Sequence, residues 1–246
     1  MPRQATGRKK EAILDAAVVE IASHGYHGTT VAMIARRAGV ADGTIYLYFA
    51  GKEEILVSLF DRAMDRFTER GTDELAGLDD PVARLMRIID LHLELVGGDR
   101  DLAIITQVEL RHSLHFLDQL SRARVGGYLQ AIAGVIAEGQ AAGVWRRDLE
   151  PMFLAKAVFG VLDEMATDWV LSRRNTRLAA RGDAVTRFVM GALRPTACPF
   201  DPTISNGPVL SAGRAGFHGT RIEIQDCSGA PTATGPAPPV TGVEVP

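Results

Sequence analysis

Three groups of side chains in this chain have the types and spacing that could do chemistry. The first is Asp42-Gly43-Thr44-Ile45-Tyr46-Leu47-Tyr48, with Thr30, Arg36 and Lys52 on either side. Gly43 and Thr44 are small enough to bring a helix N-terminus onto base edges. Tyr46 and Tyr48 can hydrogen-bond phosphates, and Leu47 or the Thr44 methyl can touch a thymine methyl. Lys52, with the free amides of the helix it opens, would hold a further backbone phosphate. The second group is His24 and His27, three apart in a loop with no third ligand near them, so a zinc site is not expected there. The third is Glu109, His112 and His115, which share one helical face but are better explained as solvated. No nucleophile–base pair, metal set or phosphate loop emerges, so an enzyme is the remote alternative and no cofactor or metal is expected.

The elements that must position the first group are two short helices crossed at a tight turn. Val31, Ile34, Ala35 and Ala38 fall at i, i+3, i+4 and i+7, one apolar stripe. Gly39 stops that helix by taking a left-handed conformation, and Val40 packs into the corner. Ile45 and Phe49 sit four apart and face inward, leaving Asp42, Gly43, Thr44, Tyr46, Leu47 and Tyr48 on the outer surface of a second helix. Ahead of both, Leu14, Ala17, Val18 and Ile21 make the stripe of a helix that Gly25 ends. Residues 1–10 carry Arg3, Arg8, Lys9 and Lys10 and no acid, a short disordered basic arm that either touches DNA backbone or is simply solvated.

The run Arg8-Lys9-Lys10, Gly25-Tyr26, Thr29-Thr30, Ile34-Ala35, Ala38-Gly39-Val40, Gly43-Thr44-Ile45-Tyr46, Tyr48-Phe49 and Lys52-Glu53 resembles the DNA-binding domain of TetR-family regulators. Within that family, GVADGTIYLYF followed by KEEIL is similar to regulators of fatty-acid degradation that respond to long-chain acyl-coenzyme A. The family usually has Ser or Thr where Ala41 stands, so this helix start lacks its side-chain acceptor, a loss of about 1 kcal/mol. Asp42 either favours the helix dipole there or accepts a hydrogen bond from cytosine.

The resemblance implies an all-α protein of about nine helices. Residues 11–51 form the helix-turn-helix head, and residues 52–194 a helical ligand-binding and dimerisation body. It also implies a switch, because the long helix from Lys52 to about Arg70 joins the two halves. Further helices are expected at Leu85 to Val96, Asp101 to His115, Asp118 to Gln140, Glu150 to Ser172 and Asp183 to Leu193. His92, Glu109, Arg111, His112, His115, Asp163 and Glu164 interrupt these apolar helices. For an acyl-coenzyme A ligand, Leu91, Leu95, Phe116, Phe159 and Trp169 are expected as walls, and Arg111, with Arg122 and Arg124, as phosphate partners. In the family the last two helices form a four-helix dimer interface, which here would use Phe159, Leu162, Met165, Phe188 and Met190. Apolar pattern alone does not separate that role from the protomer's own core.

After Arg194 the composition changes. All of the 12 prolines except Pro2, Pro81 and Pro151 lie from Pro195 onward, so residues 195–246 read as a disordered tail. Both cysteines, Cys198 and Cys227, lie there, which argues against a disulfide framework and for a reducing cytoplasm. The net charge of -3 does not advertise nucleic-acid binding, so the basic signal is local, in Arg36, Arg37, Lys52 and the arm. The resemblance implies a dimeric repressor of fatty-acid degradation genes, released from a palindromic operator by long-chain acyl-coenzyme A. A repressor answering another hydrophobic molecule or drug is the alternative.

Overall fold

The computed structural model describes residues 2–109, 125–172 and 176–195, and among them the protein is all-α, with nine α-helices and no strand. The helices are α1 (Pro2–Gly28), α2 (Val31–Ala38), α3 (Asp42–Ile45), α4 (Lys52–Leu75), α5 (Pro81–Gly97), α6 (Arg100–Ile104), α7 (Gly126–Ala141), α8 (Pro151–Leu171) and α9 (Gly182–Leu193). A π-helical turn, Ile105–Glu109, continues α6, and a 3-10 turn, Leu178–Arg181, leads into α9. None of the helices among the described residues is long and apolar enough to cross a membrane.

The head closes around the stripes read from the sequence. Ile13, Leu14, Ala17, Val18 and Ile21 of α1 are buried against Ile34 and Ala35 of α2, with Ile45 and Phe49 beneath and Ile55, Leu56 and Leu59 of α4 at the side. Gly25 (φ 72°, ψ 162°) breaks α1 just before its last turn. Gly39 (φ 67°, ψ 32°) closes α2: its N–H reaches the Ala35 and Arg36 carbonyls, and Val40 N–H bonds back to Ala35 O at 3.0 Å. A side chain at Gly39 would pay for that left-handed backbone with strain.

Three boundaries differ from expectation. Residues 2–10 are helical, not a disordered arm, because Arg, Gln, Ala and Lys favour helix and only Gly7 interrupts them. The second helix of the pair, expected to reach Phe49, is regular only over Asp42–Ile45. Leu47 N–H bonds to Thr44 O and Tyr48 N–H to Ile45 O, the tighter i to i+3 pattern. Ala41 supplies no side-chain cap, and the aromatic and β-branched Ile-Tyr-Leu-Tyr-Phe run has modest helix propensity. Helix α4 extends to Leu75, beyond Arg70, where Arg70 pairs with Glu74 one turn on at 2.5 Å.

The body has its own core of Leu85, Ile89 and Leu93 (α5), Ile132 and Ile136 (α7), Ala155, Leu162 and Ala166 (α8), Leu178, and Val185 and Val189 (α9). Asp80 caps α5 by accepting from Val82 and Ala83 N–H, so that helix starts at Pro81, earlier than Leu85. Helix α4 is not the sole connection between head and body. Leu102 of α6 and Ile105 of the π turn belong to the head's cluster, so the body reaches into the head core a second time. Residues 110–124, which hold the expected helix ends around His115 and Asp118, lie outside the described residues, as does the tail beyond Pro195.

Candidate nucleic-acid interface and effector core

The surface that α2 and α3 present is built by what is left after the head core has taken its side chains. Ile45 and Phe49 are wholly inside, which turns Tyr46 (60 % exposed) and Leu47 (79 % exposed) outward. An exposed leucine beside an exposed tyrosine suits a groove that offers thymine methyls and phosphates. Asp42 and Gly43 are exposed beside them, Thr44 is half-buried, and Tyr48 is half-buried against the head core. The expected α3 surface is therefore assembled, with Tyr48 partly withdrawn. Thr30 caps α2: its Oγ1 accepts from Met33 N–H at 3.2 Å, leaving the hydroxyl proton to give.

Cations divide into exposed and committed ones. Arg36 is exposed at the last turn of α2, whereas Arg37 Nε donates to the buried Glu20 carboxylate at 2.5 Å and ties α2 to α1. Lys52 is largely committed. Its ammonium donates to the Tyr26 and Thr29 carbonyls, both at 2.6 Å, and lies 4.4 Å from the Tyr26 ring centroid. Burial lowers its pKa. Ala50 N–H at the start of α4 is already served by Glu54 Oε2 at 2.5 Å. The phosphate site expected from Lys52 and the α4 N-terminus is thus mostly turned inward, with one ammonium proton remaining, because loop carbonyls without helical partners claim the nearest donors.

In the body, four rings from four helices come together: Phe67 (α4), His92 (α5), Tyr128 (α7) and Phe159 (α8). Phe67 lies 5.2 Å from His92 and 5.6 Å from Tyr128, and Phe159 lies 6.2 Å and 6.0 Å from the same two. His92 is 4 % exposed; its Nδ1 is 3.1 Å from the Tyr128 hydroxyl, and its Nε2 has no hydrogen-bond partner. Burial pushes its pKa down to about 4, so the ring is neutral. The same burial raises the Tyr128 phenol. Nearby, Thr167 Oγ1 donates to Gln107 of the π turn at 3.1 Å, a polar tie between α8 and the segment that enters the head.

Of the expected wall residues, Phe159 stands in this ring cluster, and Leu91 is buried one residue before His92, beside Gly71 of α4. Leu95 is half-buried. Trp169 is elsewhere: its Nε1 donates to Thr176 O at 2.6 Å, and Arg100 stacks 4.8 Å above its ring while bonding the Val170 and Ser172 carbonyls. It therefore anchors the end of α8 in the core. Arg111 and Phe116, with Arg122 and Arg124, lie outside the described residues. Among the expected interface residues, Leu162 is sealed in the protomer's own core, and Met165 and Met190 pack against it half-buried. Phe188 is 63 % exposed, and Phe153 and Leu171 of α8 are exposed with it. Sequence reasoning did not assign Phe67, Tyr128 or Phe153 to a site. The signal available for Tyr128 was a polar hydroxyl beginning an otherwise apolar helix.

Two family profiles cover nearly all of the described chain. Residues 13–59 match "Bacterial regulatory proteins, tetR family" and residues 60–192 match "YsiA-like protein, C-terminal region". The chain is 39 % identical over 181 residues to the "Fatty acid metabolism regulator protein" of Bacillus subtilis, covering 74 % of this chain and 93 % of that one. Among solved structures it resembles fatty acid degradation regulator FadR from Bacillus halodurans, with 38 % identity and a TM-score of 0.72 over 76 % of this chain and 97 % of that one. FadR from Bacillus subtilis in complex with stearoyl-CoA is similar at 38 % identity and a TM-score of 0.70, over 75 % and 99 % of the two chains.

Proposed function

As a member of the TetR family of bacterial regulatory proteins the chain is a DNA-binding transcriptional regulator, and we propose that it represses fatty-acid degradation genes until long-chain acyl-coenzyme A releases it from its operator. The observation that carries the effector is the likeness to the stearoyl-CoA-bound regulator, which runs through the body as well as the head. The ring cluster around His92 supports it, since four helices that share an apolar centre can part around an acyl chain.

On DNA, Tyr46 and Leu47 read the major groove with Gly43, Thr44 and Asp42, and Thr30, Arg36, Tyr48 and the free proton of Lys52 hold phosphates. Two heads in a homodimer would enter successive major grooves about 34–36 Å apart on a palindromic site. The exposed Phe153, Leu171 and Phe188 favour α8 and α9 as the face that joins the protomers. Such a protein works in the cytoplasm, where its DNA and acyl-coenzyme A are found.

The switch follows from the two routes between body and head. Acyl-coenzyme A that parts α4, α5, α7 and α8 displaces α4 at Phe67, and the same α4 carries Ile55, Leu56 and Leu59 in the head core. The π turn moves the head through Ile105. Release then reflects a difference in affinity between two conformations, of about 1–3 kcal/mol, and operator DNA must weaken ligand binding by the same factor. The test is binding to DNA upstream of fatty-acid genes at fixed salt, with and without palmitoyl-coenzyme A. Operator binding released by the ligand is expected. Binding indifferent to every acyl chain length would overturn the effector and favour another hydrophobic ligand.

A further inference from the structure

Resting on the acyl-coenzyme A reading above, we infer that His92 is the residue that recognises the thioester, presenting its Nε2–H to the ligand's carbonyl oxygen. His92 is the one buried imidazole among the described residues, and it stands where Phe67, Tyr128 and Phe159 meet. One side of its ring is satisfied by the Tyr128 hydroxyl at 3.1 Å; the other, Nε2, is closed off from solvent with nothing to bond. A buried donor left bare is unfavourable, and such groups in folded proteins are normally matched by protein, water or ligand. The Tyr128 hydroxyl has Nδ1 as its one hydrogen-bond partner among the described residues; with the phenol donating there, the ring proton sits on Nε2.

The chemistry of the surroundings selects the acceptor. Among the described residues no cation belongs to the ring cluster, and burial keeps the imidazole uncharged, so the site disfavours a carboxylate or a phosphate, either of which would arrive as a bare charge among aromatic faces. A thioester carbonyl is neutral and accepts one hydrogen bond, and it lies at the junction between an apolar chain and the polar carrier. Placed at Nε2, it fixes how far the chain enters, with the flanking rings against its first carbons. Tyr128 is then a positioning residue, holding the tautomer and the ring plane. The class of ligand that fits is a fatty-acyl thioester rather than a free fatty acid.

A comparison on the unaltered full-length protein tests this without any substitution. Palmitoyl-coenzyme A and its thioether analogue, S-hexadecyl-coenzyme A, differ at the carbonyl oxygen, and calorimetry should show the thioester binding about five- to tenfold more tightly. In His92→Leu the difference should fall below about twofold, while His92→Gln, which keeps an N–H donor, should retain most of it. Equal binding of the two ligands by the unaltered protein overturns the role of His92 and leaves the acyl-coenzyme A reading standing. Failure of both to bind overturns that reading and the inference together. A preference for the thioester that persists undiminished in a folded His92→Leu protein assigns the carbonyl to another group.

Discussion

A buried side chain shows its role by what it costs to change. Trp169 looks from the sequence like an apolar wall, yet its indole N–H and one ring face are engaged by the polypeptide itself, through Thr176 and Arg100. Trp169→Ala should therefore destabilise the protein by about 3–5 kcal/mol, seen as a lower urea midpoint, before any effect on ligand is considered. A variant of unchanged stability would return Trp169 to the list of wall residues. His92 leaves a different signature. Its folded-state pKa of about 4 lies below the unfolded value of 6.5, so the unfolded chain takes up the proton first as pH falls. Stability tied to His92 is full above pH 6.5 and is lost as the pH drops toward 4. Between pH 8 and pH 5 the loss is about 2 kcal/mol per protomer. Denaturant titrations at those two pH values should show it, and His92→Gln should flatten that limb; an unchanged slope would mean another histidine carries it.

Among the elements, α3 has the weakest local support and the most exposed task. It is four residues long, its N-cap is Ala41 with no side-chain acceptor, and it is held by Ile45 and Phe49 being drawn into the head. Ala41→Ser supplies the missing acceptor and should stabilise the protein by about 0.5–1 kcal/mol, measured as a raised midpoint with little change in helicity. If stability falls instead, the extended backbone at Ala41 does not place a serine hydroxyl over the free amides. Thr30 at the neighbouring helix shows the arrangement that works, with its Oγ1 on Met33 N–H. The stripes Val31-Ile34-Ala35 and Leu14-Ala17-Val18-Ile21 were legible because they are local and periodic, and the Gly39 stop was legible because only its left-handed backbone ends α2 so sharply. What the sequence could not show was the fate of polar atoms. The carbonyls that claim Lys52 belong to Tyr26 and Thr29, 26 and 23 residues away, and no spacing rule reaches that far. The ring cluster is hidden for the same reason: Phe67, His92, Tyr128 and Phe159 come from four separate helices.

At the scale of the whole molecule, the protein's net charge of -3 offers little general attraction to DNA. In the homodimer proposed above, affinity comes from two heads acting at once, each raising the effective concentration of the other. That places the weight of DNA binding on a face far from DNA. Phe188 is 63 % exposed on α9, and Phe153 and Leu171 are exposed on α8, while Leu162 in the same helix is sealed inside. Phe188→Glu adds a charge where a second copy should pack and removes nothing that the protomer's core uses. The expected protein is folded, with unchanged helicity and thermal midpoint at low concentration, but monomeric by sedimentation at micromolar concentration. Its operator affinity should fall at least about a hundredfold, with the loss recovered when two heads are joined covalently. A variant that stays dimeric would move the interface off α9. A monomer that still binds the operator at full strength would show that one head suffices, and the coupling of ligand to DNA would then have to act within a single protomer, through α4 and the π turn alone.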